Sequence, residues 1–417
     1  MIKQYLQQAF YQLKENKLIS GISIVGTALA ICMIMVITII FQIKNADYKP
    51  EVNRSRTLYV QFGESYTKDK HENVSMNNML SLPYYKDAIA TLTGVEAVTA
   101  MTTSYNPLSI IGSADRVAGS IKHVDMGFWK IFDFDFLSGH PFTESDFQSG
   151  MKQAVLREEA ARKLFHTTDV VGKEFQIRGV TYTVCGVIRD FSKWANKAYA
   201  DAYVPYTSKA GEWWAGNGQT SGPFSALILT KGADSFDEVS RQINVNTERF
   251  NQNQSEYVVG IREQPYTHFQ QLFFTWDLEK PHVAENVLRY TVILLLLLLV
   301  PAINLSGIML SRMQKRMEEI GVRRAFGATR WQIVGQILNE NLVMTLLGGI
   351  LGMVFSYIAI FVMGDWLLNG DKSISLQMVA SPIVFVLAFL FCLALNLLSA
   401  GIPAWRVASK NITDAIK

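Results

Sequence analysis

Four apolar runs punctuate the chain, at about Leu18–Ile43, Val287–Leu310, Leu342–Met363 and Ile383–Ile402. Each is long enough to cross a hydrocarbon core of roughly 30 Å, which takes about 20 helical residues. Residues 1–17 come first, with Ile2, Tyr5, Leu6, Ala9, Phe10 and Leu13 on one face of an amphipathic helix. Such a helix either lies flat at the membrane surface or packs on a partner. Between the first and second runs, residues 44–285 change to shorter patterns. Thr57–Phe62 and Arg116–Val124 alternate as strands, and Lys173–Arg178 and Val180–Val187 form a strand pair turning at Arg178-Gly179. Phe224–Thr230 and Glu256–Glu263 are further strands. Leu82–Thr93, Gly127–Phe136, Glu158–Phe165 and Phe236–Phe250 carry helical patterns. Asn196–Gly222, rich in Gly, Trp and Ser, is expected to be an exposed loop presenting Trp213 and Trp214. The expected fold is therefore four transmembrane α-helices plus a large α+β extracytoplasmic domain inserted between spans 1 and 2.

Residues 311–341, between the second and third spans, form a basic segment punctuated by glycine. Met313, Met317 and Ile320 recur at helical spacing among Arg312, Lys315, Arg316, Glu318 and Arg323, so the second span continues as a stalk beyond the membrane. Gly327 supplies a helix stop, and Thr329 with Gln332 fits a capping box for the next helix. An unbroken helix from Val287 to Phe326 would be about 60 Å long at about 1.5 Å per residue. Pro301 is the position where it would kink. Within the spans, Gly26 and Ala30, and Gly348 and Gly352, place small residues four apart, which lets helices approach closely in lipid.

Charge placement gives the topology. Lys3, Lys14 and Lys17 precede span 1, Arg312–Arg330 follow span 2, and Arg406, Lys410 and Lys417 follow span 4, whereas residues 364–382 offer Lys372 alone. The positive-inside rule puts both termini (the tail being 403–417) and the 311–341 elbow in the cytoplasm, with 44–285 and 364–382 outside. The hydrophobic share of 49% describes an integral membrane protein, and a net charge of +3 without a basic stripe excludes a nucleic-acid binder. The cysteines, Cys32, Cys185 and Cys392, leave no intramolecular disulfide within the external domain, where Cys185 is read as a buried strand residue. His71, His123, His140, His166, His268 and His282 show no metal-ligand spacing, and no phosphate-binding loop, HExxH or GxSxG motif occurs. Asp133 and Asp135 are read as solvated carboxylates beside an aromatic cluster. No residue earns a catalytic, cofactor or metal assignment.

EEIGVRRAFGATRWQIVGQILNENLVMTLLGGILG resembles the signature of the MacB/FtsX-type permeases of ABC transporters, through Arg316, Glu319, Ile320, Gly321, Arg324, Ala325, Gly327, Ala328 and Glu340. The ending GIPAWRVASKNITDAIK is similar to the family's C-terminus. Glu318 departs from the family's frequent second arginine. The resemblance implies a periplasmic domain of two lobes, here 44–128 with 223–285 and an inserted lobe at 129–222. It implies an elbow docking on an ABC ATPase through Arg316, Glu319, Gly321, Arg323, Arg324, Gly327, Ala328, Thr329 and Arg330. It further implies a second permease subunit, identical or paralogous, in the bacterial inner membrane, and ATP and Mg held by the ATPase partner rather than by this chain. An export system would add a periplasmic adaptor and an outer-membrane channel. The implied function is non-catalytic: mechanotransmission that exports peptides, antibiotics or similar compounds. The alternatives are lipoprotein release and an FtsX-like regulation of cell-wall hydrolases.

Overall fold

The computed structural model describes residues 17–68, 74–110, 112, 116–208, 220–275, 281–315 and 317–362, together with 386, 389–391, 393–394, 397–398, 401 and 404–405. The N-terminal amphipathic segment up to residue 16, Trp213, Trp214, Arg316 and the Lys372 loop lie outside these. Two compact units divide the chain, Met1–Ile43 with Ala284–Lys417, and Lys44–Val283.

In the first unit, α1 (Lys17–Asn45) buries Thr27, Ala28, Ile31, Ile34, Met35 and Ile39, while Val25, Leu29, Ile37 and Phe41 stay exposed. A helix apolar on both faces is a buried core helix or a membrane span rather than a surface helix. The stretch Ser20–Asn45 and the later helix Arg330–Val362 are each long and apolar enough to cross a membrane by length and composition. Val283–Lys315 is continuous helix through Pro301, and the described positions between 386 and 401 are helical too.

The second unit is built on a ten-stranded sheet. Its strands are β1 (Thr57–Val60), β4 (Val95–Ser109), β5 (Arg116–Val124), β6 (Phe136–Gly139), β7 (Gln153–Arg157), β8 (Glu174–Ile177), β9 (Val180–Ile188), β10 (Ala202–Pro205), β11 (Ser225–Thr230) and β13 (Tyr266–Thr267). The order is β13-β1-β11-β4-β5-β10-β7-β9-β6, with β8 pairing both β4 and β9. A smaller sheet has the order β12-β2-β3, from β2 (Gly63–Thr67), β3 (Val74–Asn78) and β12 (Tyr257–Gly260). The long strand β4 joins the two halves of the large sheet: Val95–Met101 pair with β11 and Thr102–Ser109 pair with β5. The β8–β9 hairpin turns on Arg178 and Gly179, whose φ values of 51° and 80° are those of a type I′ turn.

Side chains alternate across this sheet and feed two cores. Val155, Tyr203 and Val124 enter one cluster with Leu58, Phe128, Phe224, Ile243 and Phe250, while their neighbours Ala154, Leu156, Val204 and Ile121 enter another with Leu164, Phe175 and Val184. Helix α6 (Phe236–Gln252) covers the first through Val239, Ile243 and Phe250 at helical spacing. Helix α5 (Glu158–Phe165) covers the second. It opens on Glu158 and Glu159, closes on Arg162 and Lys163, and stops at His166 in the left-handed conformation. The larger cluster draws on residues from both sides of position 128.

Three local expectations change. Asn196–Gly222 is not simply an exposed loop: it contains β10, parallel to β5, and Ala198, Ala200, Ala202, Tyr203 and Val204 are buried. A strand buried on both faces has no polar alternation to reveal it. The Gly127–Phe136 segment splits into α3 (Met126–Ile131) and β6, and Leu82–Thr93 is the short α2 (Leu82–Tyr84) followed by a π-helical turn through Ile89. Cys185 sits in β9, half-buried, its Sγ donating to the Ala154 carbonyl, and burial pushes its thiol up to about 12.

Candidate functional site

The elbow comprises α9 (Met317–Ala325), which follows α8 (Val283–Lys315) along the chain, and the start of α10 (Arg330–Val362). Gly327 takes φ = 96°. A Cβ there would meet open space, so the backbone conformation, not crowding, calls for glycine. The Ala328 amide donates to the Arg323 carbonyl at 3.1 Å, closing α9 with the long bond of a Schellman-type stop. Thr329 and Gln332 exchange bonds: the Gln332 amide donates to Thr329 Oγ1, and the Thr329 amide donates to Gln332 Oε1 at 2.8 Å. That reciprocal capping box opens α10.

Two further contacts hold the turn. Arg323 donates to Glu319 Oε1 on its own helix and to Gln336 Oε1 on α10. Beneath it, Ile333, Val334, Ile337 and Ala404 are buried, with Met317, Ile320 and Ala328 packed against them. Gly321 is buried, and Thr329 and Arg330 are exposed. Arg324 lies on α9, its side chain outside the described residues. The outward side carries Val322, Phe326 and Trp331; Phe326 is 89% exposed and Trp331 72%. The Trp405 ring stands 5.1 Å from that of Trp331. Sequence reasoning selected the charged and small positions and passed over Phe326, Trp331 and Gln336; aromatic residues on either side of a turn glycine were the available signal.

Small residues on α10 approach α1 closely. A Cβ at Gly348 would lie 2.8 Å from Thr27 Cβ, and one at Gly352 would lie 2.7 Å from the Ala28 carbonyl oxygen. Gly26 faces open space and Ala30 is half-buried, so Thr27 and Ala28 supply the α1 side of this contact.

A second constellation lies in the other unit and includes the last turn of α1. Arg54 is 2% exposed. It donates to Glu51 Oε2 at 2.6 Å, to the carbonyls of Ala46 and Trp194 at 2.9 Å, and to the Tyr48 hydroxyl, and its guanidinium stacks 4.1 Å from the Tyr48 ring centre. Glu51 Oε1 accepts from the amides of Lys197 and Ala198. His268, at the start of α7 (His268–Gln271), meets the Lys44 carbonyl at 2.9 Å through Nε2 and the Tyr59 hydroxyl through Nδ1. Three distant stretches thus converge on the residues that follow the span. Burial opposes the Arg54 charge, but Glu51 and Tyr48 more than offset this and hold its pKa above the usual value. Burial lowers His268 below the ordinary imidazole range, with the Lys44 carbonyl acting against it, and pushes Tyr48 up to about 12.

Residues 20–245 match the MacB-like periplasmic core domain family, and residues 291–412 match the FtsX-like permease C-terminal family. The chain belongs to the MacB/FtsX-type ABC transporter permeases. YknZ of Bacillus subtilis (strain 168), an uncharacterized ABC transporter permease, is 22% identical over 346 residues, covering 80% of this chain and 79% of YknZ. The macrolide export ATP-binding/permease protein MacB of Escherichia coli (strain K12) is 24% identical over 320 residues, which are 75% of this chain and 44% of MacB. The chain thus matches less than half the length of that relative. The extracellular domain of YknZ from Gram-positive bacteria aligns with a TM-score of 0.36 at 17% identity, covering 49% of this chain and 99% of that domain. The periplasmic region of MacB from Actinobacillus actinomycetemcomitans aligns at 0.36 and 15%, covering 50% and 89%. As a permease of this type, the protein is a membrane component with a periplasmic domain.

Proposed function

We propose that this permease transmits force. An ABC ATPase partner, holding ATP and Mg, docks on the cytoplasmic elbow, and its closure moves Gly327–Arg330. The stalk and span 2, with span 1 beside them, carry that movement to the periplasmic domain. The full reading has four spans, both termini in the cytoplasm, a head of two lobes, and a second permease subunit completing the assembly. The cargo, peptides, antibiotics or similar compounds, is handled outside the membrane core, and an adaptor and outer-membrane channel would extend the route.

The observation that supports this most is the exposed apolar tip on a turn already fixed by its own caps. Phe326 and Trp331 stand in solvent while the helices behind them pack on an internal core. Burying such a side chain against a partner is worth roughly 1.5–3 kcal/mol each. Aromatic anchors on a rigid element also lose little entropy on docking. The basic residues around them would steer an acidic groove.

The test is co-purification and ATPase affinity measured with the Phe326→Ala/Trp331→Ala pair. Losing about 2 kcal/mol per anchor weakens Kd by about thirtyfold for each. Unchanged affinity in the double variant would refute docking at this tip.

A further inference from the structure

A buried cluster beside the Arg54 constellation holds more positive charge than its carboxylate can answer. Lys122, on β5, is 5% exposed, and its Nζ donates to Thr103 Oγ1 at 3.2 Å. Lys197 is half-buried; its Nζ donates to Gln61 Oε1 at 2.7 Å and stands 5.9 Å from the Tyr59 ring centre. Both ammonium groups have neutral oxygen partners in these contacts. Glu51 is the carboxylate whose field reaches both. Its two oxygens already serve Arg54 and the amides of Lys197 and Ala198.

The Gln61 amide completes the set. Its oxygen is fixed by Lys197, so its orientation is fixed too, and its Nε2 is buried with no acceptor. Gln61 is itself only 6% exposed. A buried donor without a partner is costly, and two ammonium groups sharing one interior cost more. Burial, together with the charge of Lys197, pulls Lys122 down to about 8, and burial brings Lys197 to about 8.

We infer that Lys122, Lys197 and the Gln61 amide form a binding site for one compact oxyanion of the sulfate or phosphate class. Such an ion supplies acceptors for all three donors, and its double negative charge balances both lysines. Charge-assisted bonds of this kind are the strong ones in a protein interior. The site would sit against the constellation around Lys44, so occupancy would stiffen the segment following span 1.

The experiment is thermal unfolding of the full-length protein in detergent at pH 7, followed by tryptophan fluorescence. Sodium sulfate and sodium phosphate are titrated against sodium chloride at matched ionic strength. The midpoint should rise saturably with either oxyanion and not with chloride. Lys197→Gln, at a half-buried position, should weaken the half-saturating concentration by about tenfold or more, as expected for losing one charge-assisted contact. Lys122→Met, which keeps the bulk and removes the charge, should abolish the response. A linear rise in sulfate that both variants share reflects salt exclusion and overturns the site, as does the absence of any rise. A response to phosphatidylglycerol in mixed micelles, but to neither inorganic ion, would also overturn it.

Discussion

Replacing Arg54 with Met should destabilise the periplasmic domain more than any surface change. Arg54 and Glu51 are 2% and 3% exposed and stand 2.6 Å apart. The methionine fills much of the volume but leaves the Glu51 carboxylate without its cation and the Ala46 and Trp194 carbonyls without this donor. Breaking one partner of a buried pair costs about 3–5 kcal/mol. The two amides that still bond Glu51 Oε1 put the expectation near the lower end, about 3 kcal/mol. For a domain of this size, about 2–4 °C per kcal/mol turns that into a fall of about 6–12 °C in Tm. The assay is fluorescence-detected unfolding, with Trp194 beside the lesion as a reporter. Arg54→Met/Glu51→Gln should recover part of the loss, because the stranded charge is gone. A fall below about 2 °C in the single variant, or no recovery in the double, would refute the assignment of a tightly coupled buried pair.

Gly352→Leu should drive α1 and α10 apart, since even a Cβ would lie 2.7 Å from the Ala28 carbonyl; Gly26→Leu, facing open space, should be mild, and a detergent unfolding assay should rank the two accordingly. Without added oxyanion, the lowered pKa values of Lys122 and Lys197 make the unfolded chain bind more protons between about pH 8 and the ordinary lysine value, so their contribution to stability rises with pH there. Relative to Lys122→Met/Lys197→Met, the wild-type protein should therefore gain stability from pH 8 to 10; parallel pH profiles would contradict it.

Much of the elbow was legible because its signals are local. A positive-φ glycine and a threonine–glutamine cap act over four residues, and Gly327, Thr329 and Gln332 adopt the backbone roles their spacing implied. Arg116–Val124 and Glu158–Phe165 were equally plain, one alternating and the other charged at both ends. What escaped depends on partners far along the chain. The strand Ala202–Pro205 is made by pairing with β5 and β7, and four buried residues carry no period of their own. Arg54 gave no sign of burial, because the carbonyls it serves come from residues 46 and 194. The face of α1 that meets α10 is hard to read for a related reason: small residues recur all round that helix, and only the neighbouring Gly348 and Gly352 select Thr27 and Ala28.

The proposed function requires motion to pass from the elbow to the periplasmic domain. The most direct measurement is the ATP-dependent distance between spin labels at Tyr105→Cys, an exposed β4 position, in two permease copies reconstituted with the ATPase. Wild-type protein should show a distance change on ATP binding. Gly327→Val, which forces a β-branched side chain into a left-handed turn at a cost of about 1–2 kcal/mol, should abolish that change while ATP hydrolysis continues. An undiminished change in the Gly327→Val protein would contradict the account.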